Sequence, residues 1–229
     1  MSALALRNGP LRRTLSDVEQ KTASGFAIVV VGASHGGLEA MEKLFADLPA
    51  EIPAAILCVL HVGPYPSQLP SILNRYSRLP AHHAEHGESI RAGEIYIAPP
   101  DHHLLVRRRH VALSRGPRVN WSRPAIDPLF ASAAKDYGSG TIGIVLTGRL
   151  NDGTAGLYEI KRHGGTTIVQ DPSDAISPVM PASALKHVAV DHCVPLAKMP
   201  RILFQVGQDV AARANEVSSV TGTGGPSHA

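Results

Sequence analysis

Two rhythms of apolar residues alternate along the chain. Short unbroken runs such as Ala27-Ile28-Val29-Val30-Val31 and Ala54-Ala55-Ile56-Leu57-Cys58-Val59-Leu60 are separated by stretches in which apolar side chains recur every three or four positions, as at Leu38, Met41, Leu44, Phe45 and Leu48. Unbroken aliphatic runs between glycine-rich turns predict strands covered on both faces, and the wider spacing predicts amphipathic helices. Strands are therefore expected over 26–31, 54–60, 81–84, 94–98, 141–146, 166–170 and 189–194. Helices are expected over 38–48, 67–74, 126–135, 153–163, 182–186 and from residue 200 onward. Segments 104–107 and 110–113 read as an antiparallel hairpin. This alternation predicts an α/β fold, a doubly wound, mostly parallel sheet with helices on both faces and one antiparallel β-hairpin. Residues 1–24 are polar and expected to be a flexible leader, 25–212 the folded domain, and 213–229, rich in Ser, Thr and Gly, a disordered tail.

Composition narrows the picture. Of 229 residues, 44% are hydrophobic but only 4% aromatic, so the core is aliphatic. The net charge of +3 is mild, and the excess is local, in Arg107, Arg108, Arg109, Arg115, Arg118 and Arg123. Without a dense basic block interleaved with aromatics, no nucleic-acid partner is expected. The longest apolar run, 54–60, is far too short to span a bilayer, and the first residues lack a signal-peptide pattern. No membrane insertion and a cytoplasmic location are expected. Cys58 and Cys193 lie in apolar surroundings without metal-binding spacing and are expected to be small core residues. His82, His83 and His86 have suggestive spacing but no helical context and no acidic partner at zinc-site spacing, so neither metal nor cofactor is expected.

Ligands of doubly wound folds sit beyond the carboxyl ends of the strands. Ser34 follows the first strand in the frame G-x-S-x-G (Gly32, Ser34, Gly36), with the strand expected to break at Gly32. His61 follows the second strand, and Asp152 follows the strand over 141–146. A serine, a histidine and a carboxylate on one rim supply a nucleophile, a base and a group that orients the base. Asp171 and Asp191 also follow strands and are reserve candidates for the acid. The plainer alternatives are that Ser34 and Asp152 only cap helices. A nucleotide-binding turn at Gly32, Gly36 and Gly37 is a rival, but the second strand ends in His61 rather than in the acid that would hold a ribose.

The order Ser…His…Asp differs from the common α/β-hydrolase order. The matching pieces are Val31-Gly32-Ala33-Ser34-His35-Gly36-Gly37, Leu60-His61-Val62-Gly63-Pro64, Gly93-Glu94-Ile95-Tyr96-Ile97-Ala98-Pro99-Pro100, Ile126-Asp127-Pro128-Leu129-Phe130, Val145-Leu146-Thr147-Gly148 with Asp152-Gly153-Thr154-Ala155-Gly156, and Gly164-Gly165-Thr166-Thr167-Ile168. Through them the chain, from Ile28 to about Ile202, resembles the catalytic domain of the CheB family of chemotaxis protein-glutamate methylesterases. The resemblance implies hydrolysis of glutamate γ-methyl esters on the cytoplasmic helices of methylated chemoreceptors, with deamidation of receptor glutamines as a second activity. It implies Ser34 as nucleophile, His61 as general base and Asp152 as orienting acid, with the backbone N–H groups of His35 and Arg149 framing the oxyanion. Three positions depart from the family pattern: His35 stands where threonine is usual, and Arg149-Leu150 where Met-Gly is usual. Only about 25 residues precede the first strand, so a stand-alone esterase domain without a receiver domain is expected. The alternatives in this framework are a catalytically impaired scaffold and an esterase for a non-chemoreceptor ester.

Overall fold

Strand β1 (Ala27–Ala33) is fully buried along its whole length. Such a strand needs apolar cover on both faces and a paired neighbour on both edges, and the rest of the chain supplies these. In a computed structural model, which describes residues 25–221, β1 pairs in parallel with β2 (Ala54–Leu60) on one edge and β7 (Thr141–Val145) on the other. The sheet continues outward through β4 (Ile95–Ile97) and β3 (Ala81–His83) on the first side, and through β8 (Thr166–Gln170) and β9 (His192–Val194) on the second. The seven-stranded order is β3-β4-β2-β1-β7-β8-β9, all parallel. Strands β5 (His103–Arg107) and β6 (His110–Ser114) form a separate antiparallel hairpin.

The alternation of side chains along β1 divides the core in two. Val29 and Val31 face a layer built by α1 (Gly37–Ala46), α2 (Leu69–Leu73) and α6 (Met199–Thr221), through Met41, Phe45, Leu73 and Leu203. Ile28 and Val30 face α3 (Ile126–Tyr137), α4 (Thr154–Arg162), α5 (Val179–His187) and the hairpin, through Phe130, Leu157, Met180 and Leu104. The α/β architecture is therefore doubly wound, with helices on both faces. Connections leave β1 and β7 toward opposite faces, which opens a crevice between the carboxyl ends of these two strands.

Three local expectations change. The first strand does not break at Gly32 but runs through Ala33. Gly32 is required for clearance instead, because a Cβ there would lie 2.4 Å from a side-chain methyl of Ile126, the first residue of α3. Cys193 is exposed on β9, the edge strand of the sheet among the described residues, whereas Cys58 is buried in β2, where burial pushes its thiol pKa up. Helix α6 continues through positions 213–221, past the expected start of the tail. The expected leader, and the tail beyond 221, lie outside the described residues. No described helix is long and apolar enough to cross a membrane.

Because β1 is pinned between two neighbours and Ile126 is fully buried, Gly32→Ala should force the start of α3 outward. The expected cost is about 1–3 kcal/mol, read as a lowered urea midpoint at unchanged slope.

Candidate active site

The rim at the carboxyl ends of the central strands is stitched together by backbone bonds. Ser34 N–H donates to Thr147 O (3.0 Å) and His61 N–H donates to Ala33 O (3.1 Å). Thr147 N–H in turn donates to the buried Gln170 side chain at the end of β8 (2.9 Å). The segments carrying Ser34, His61 and Asp152 are thus fixed relative to one another before any side chain is considered. Between Ser34 and α1, the chain turns through Gly36 at φ 76°, a left-handed conformation that glycine adopts without steric cost. Gly148 gives the serine room, since a Cβ there would lie 2.9 Å from Ser34 Cβ.

On this frame the three side chains form a hydrogen-bonded row. His61 Nδ1 lies 3.1 Å from Ser34 Oγ, and His61 Nε2 lies 2.7 Å from Asp152 Oδ2. Asp152 is 2% exposed and accepts only, so Nε2 carries the ring proton of the neutral imidazole and donates it to the carboxylate. Nδ1 then presents its lone pair to the serine hydroxyl. That arrangement can accept the serine proton during attack on a carbonyl carbon, and the carboxylate can stabilise the imidazolium that results.

The carboxylate is held by more than the histidine. Ile126 N–H and Asp127 N–H, at the start of α3, donate to Asp152 Oδ2 (2.7 Å) and Oδ1 (3.1 Å). Asn120 Nδ2 donates to Asp152 Oδ1 (2.7 Å) and also to Asp127 Oδ2 (2.7 Å). Asp127 in turn accepts from Gly153 N–H (2.9 Å) and Gly156 N–H (2.7 Å), at the start of α4. The two carboxylates therefore exchange caps: Asp152, just before α4, caps α3, and Asp127, within α3, caps α4. Burial alone would raise the Asp152 pKa, but hydrogen bonds from His61, Ile126 and Asn120 outweigh it and hold the carboxyl below its ordinary range. Asp127 goes the other way, pushed up by burial and by the charge of Asp152 against the bond from Gly156. Of this close pair, Asp152 is the one that keeps its charge.

Asn120 sits on a loop clamped from two sides. Arg123 reaches Asp101 through Nε (3.0 Å) and donates from Nη1 to Arg115 O (2.9 Å) and Gly116 O (2.8 Å). The buried His103 bonds Pro117 O (2.9 Å). Asn120 was not among the residues that the sequence singled out. Its only signal was a polar residue in a turn-like Val-Asn-Trp-Ser stretch, with nothing to say which carboxylate it would meet.

The other candidates fall elsewhere. Asp171 bonds Ser173, and Asp191 bonds Lys161 and Thr167 at the opposite end of the sheet, so neither meets His61. His35 and Arg149 are exposed on the rim, and neither backbone N–H has a hydrogen-bond partner among the described residues. Both amides are thus available to a ligand. His82, His83 and His86 are engaged separately, with Glu88, Ser67 O and Leu113 N–H. The turn at Arg108-Arg109 binds Asp136 near the far end of α3, roughly 15 Å from its start at 1.5 Å per residue.

A family model described as CheB methylesterase matches residues 29–203. A putative protein-glutamate methylesterase/protein-glutamine glutaminase of Leptospira interrogans is 37% identical over 186 residues, covering 80% of this chain and 96% of that protein. A protein-glutamate methylesterase/protein-glutamine glutaminase of Geobacter metallireducens is 37% identical over 196 residues, covering 84% of this chain but 52% of that protein. The crystal structure of the Thermotoga maritima CheB methylesterase catalytic domain superposes with a TM-score of 0.77 at 35% identity, covering 80% of this chain and 99% of that one.

The depressed Asp152 pKa makes a stability prediction with a definite sign. The folded value lies below the unfolded one. Its contribution is therefore complete above the unfolded value, about pH 4, and is lost as pH falls through the folded value. At pH 7, Asp152→Asn should be about 3 kcal/mol less stable than the parent in urea unfolding. The gap should close below about pH 4, and a gap of the same size at pH 7 and pH 3 would show that the charge is not its source.

Proposed function

This chain belongs to the CheB methylesterase family, and on that premise we propose that it hydrolyses γ-methyl esters of glutamate side chains on the cytoplasmic helices of chemoreceptors in chemotactic adaptation. The observation that carries the reading is the row from Ser34 Oγ through His61 Nδ1 and Nε2 to Asp152 Oδ2, with spacings of 3.1 and 2.7 Å. In the reaction, His61 Nδ1 takes the Ser34 proton as Oγ adds to the ester carbonyl. The oxyanion is met by the backbone N–H groups of His35 and Arg149, a type of contact worth about 100- to 1000-fold in rate. The C–O bond to methoxide then breaks, the leaving oxygen takes the proton from Nδ1, and methanol departs. Water repeats the sequence on the acyl-serine, returning the glutamate carboxylate and free Ser34. Asp152 stays ionised throughout. A glutamine amide follows the same course with ammonia as the leaving group.

This reading is tested by methanol release from methylated chemoreceptor cytoplasmic fragments. The parent protein should release methanol, and Ser34→Ala should lower the rate by at least about a thousandfold with the fold intact. Retained turnover in that variant sinks the nucleophile assignment. If neither protein releases methanol while both are folded, an impaired scaffold or a different ester is favoured.

Two further results are expected of the same assay. Asp152→Asn should leave a reduced but measurable rate, and Asp171→Asn should be close to the parent. A larger loss in Asp171→Asn would mean that the acid is misassigned. Turnover should fall on the acid side of a scan over about pH 5–8, the range in which histidine side chains change charge. A flat profile contradicts a histidine base.

A further inference from the structure

Six described residues other than glycine have φ in the left-handed region: Asp101 (59°), Arg108 (50°), Arg109 (62°), Asn120 (48°), Trp121 (65°) and Leu150 (65°). Side chains disfavour this conformation, so each needs a local reason. Four have one. Asp101 and Asn120 are of the types that tolerate it, and their side chains are held by Arg123 and by Asp152 with Asp127. The N–H groups of Arg108 and Arg109 both donate to the Asp136 carboxylate, and the Arg109 guanidinium stacks 4.8 Å above the Tyr137 ring.

Trp121 and Leu150 have no such reason. Trp121 is 88% exposed and Leu150 62%. Val119 and Ser122 exchange backbone hydrogen bonds (3.1 and 2.9 Å) across Asn120-Trp121, a two-residue hairpin turn with both central φ positive. That turn favours asparagine followed by glycine, so tryptophan occupies the glycine position. Its indole N–H has no partner among the described residues. Folding alone would put smaller residues at both positions.

Their location is not random. Trp121 directly follows Asn120, whose Nδ2 lies 2.7 Å from Asp152 Oδ1. Leu150 directly follows Arg149 and precedes Asp152 by two residues. A third exposed apolar residue, Ile176 (62%), packs against Gly36, where a Cβ would lie 2.7 Å from Ile176 Cβ, two residues beyond Ser34. Apolar side chains thus stand out into solvent from the segments that carry the site. A methyl ester offers one carbon, which is too little to cover them. The residues that flank a modified glutamate on a polypeptide have the area to do so, and large exposed apolar side chains gain most when covered in this way.

We propose that Trp121 and Leu150 are specificity-determining residues, which grip apolar side chains flanking the esterified glutamate on a polypeptide substrate. The proposal rests on the esterase reading above and names what part of the substrate the rim recognises. It is tested with replacements that suit the backbone and remove only the apolar surface: Trp121→Gly, which completes an Asn-Gly turn, and Leu150→Asn. Each is assayed on methylated chemoreceptor fragments and on the small ester p-nitrophenyl acetate, alongside thermal unfolding. On the methylated fragments, KM should rise about tenfold in each variant at unchanged kcat. The rate on p-nitrophenyl acetate should stay within about twofold of the parent, with no loss of thermal stability.

Unchanged KM on the fragments, with thermal stability raised, overturns the proposal, because the two residues would then be strain without a role. Equal losses on both substrates also overturn it, because they would then act on the catalytic geometry. If the parent hydrolyses the small ester through Ser34 but releases no methanol from the fragments, the substrate reading itself fails and takes this proposal with it. Turnover of the fragments by the parent, undisturbed in the variants, removes the proposal alone.

Discussion

The site depends on a negative charge kept out of water. An ionised carboxylate at 2% exposure is costly unless nearly every lone pair is satisfied. Asp152 meets that demand with His61, the Asn120 amide and the free amides at the start of α3. A helix start is suited to this, because its first N–H groups lack partners within the helix and carry the positive end of its dipole. The requirement propagates outward. Helix α3 must begin at that point, so Gly32 must leave room for Ile126. Asn120 must be presented from a loop, so Arg123 and His103 clamp that loop.

The exchange of caps between Asp152 and Asp127 makes the arrangement mutual. The start of α3 draws on Asp152, from the segment leading into α4, and the start of α4 draws on Asp127, within α3, although Gly153 N–H also donates to its neighbour Asp152 Oδ1 (3.0 Å). Asn120 bridges the two acids through one amide nitrogen and lets them approach without both resisting ionisation equally. The consequence is a division of labour. One acid keeps its charge toward His61, while the other is pushed toward its neutral form behind it. Such a network ties the orientation of a histidine to the packing of two helices, so that the row of side chains is preorganised before a ligand arrives.

The sheet supplies the other half of the rigidity. Four adjacent strands, β2, β1, β7 and β8, are joined just beyond their ends by His61 N–H, Ser34 N–H and Thr147 N–H. Residues that leave neighbouring strands at the same level have little freedom to drift apart. What stands above this rigid rim is different in kind: exposed His35, Arg149, Leu150 and Trp121, without the packing that holds Ser34, His61 and Asp152. Ser34, His61 and Asp152 are anchored below, and these exposed side chains are displayed from turns.

Much of this was legible in the chain. Unbroken runs such as 54–60 specified buried parallel strands because such runs have no polar face to offer water. Strand-end positions then placed Ser34, His61 and Asp152 on one rim, because side chains that leave parallel strands in the same direction emerge together. In sequence Gly32 reads as a strand break, since a glycine needed for clearance against a distant isoleucine looks the same as one needed for a turn. Cys193 reads as core in sequence, since three residues cannot show whether their strand lies at the centre or the edge of a sheet. The sequence by itself determined the periodicities, and with them the elements, the layers and the strand-end chemistry, because these depend on neighbours a few positions apart. Only the tertiary structure decided that Asp152 caps α3, that Asp127 caps α4 and that Asn120 joins them. Apart from the Asn120–Asp127 bond, which spans seven positions, those bonds link residues 25 to 32 positions apart, and local pattern carries no information about which buried donor a buried acceptor will meet.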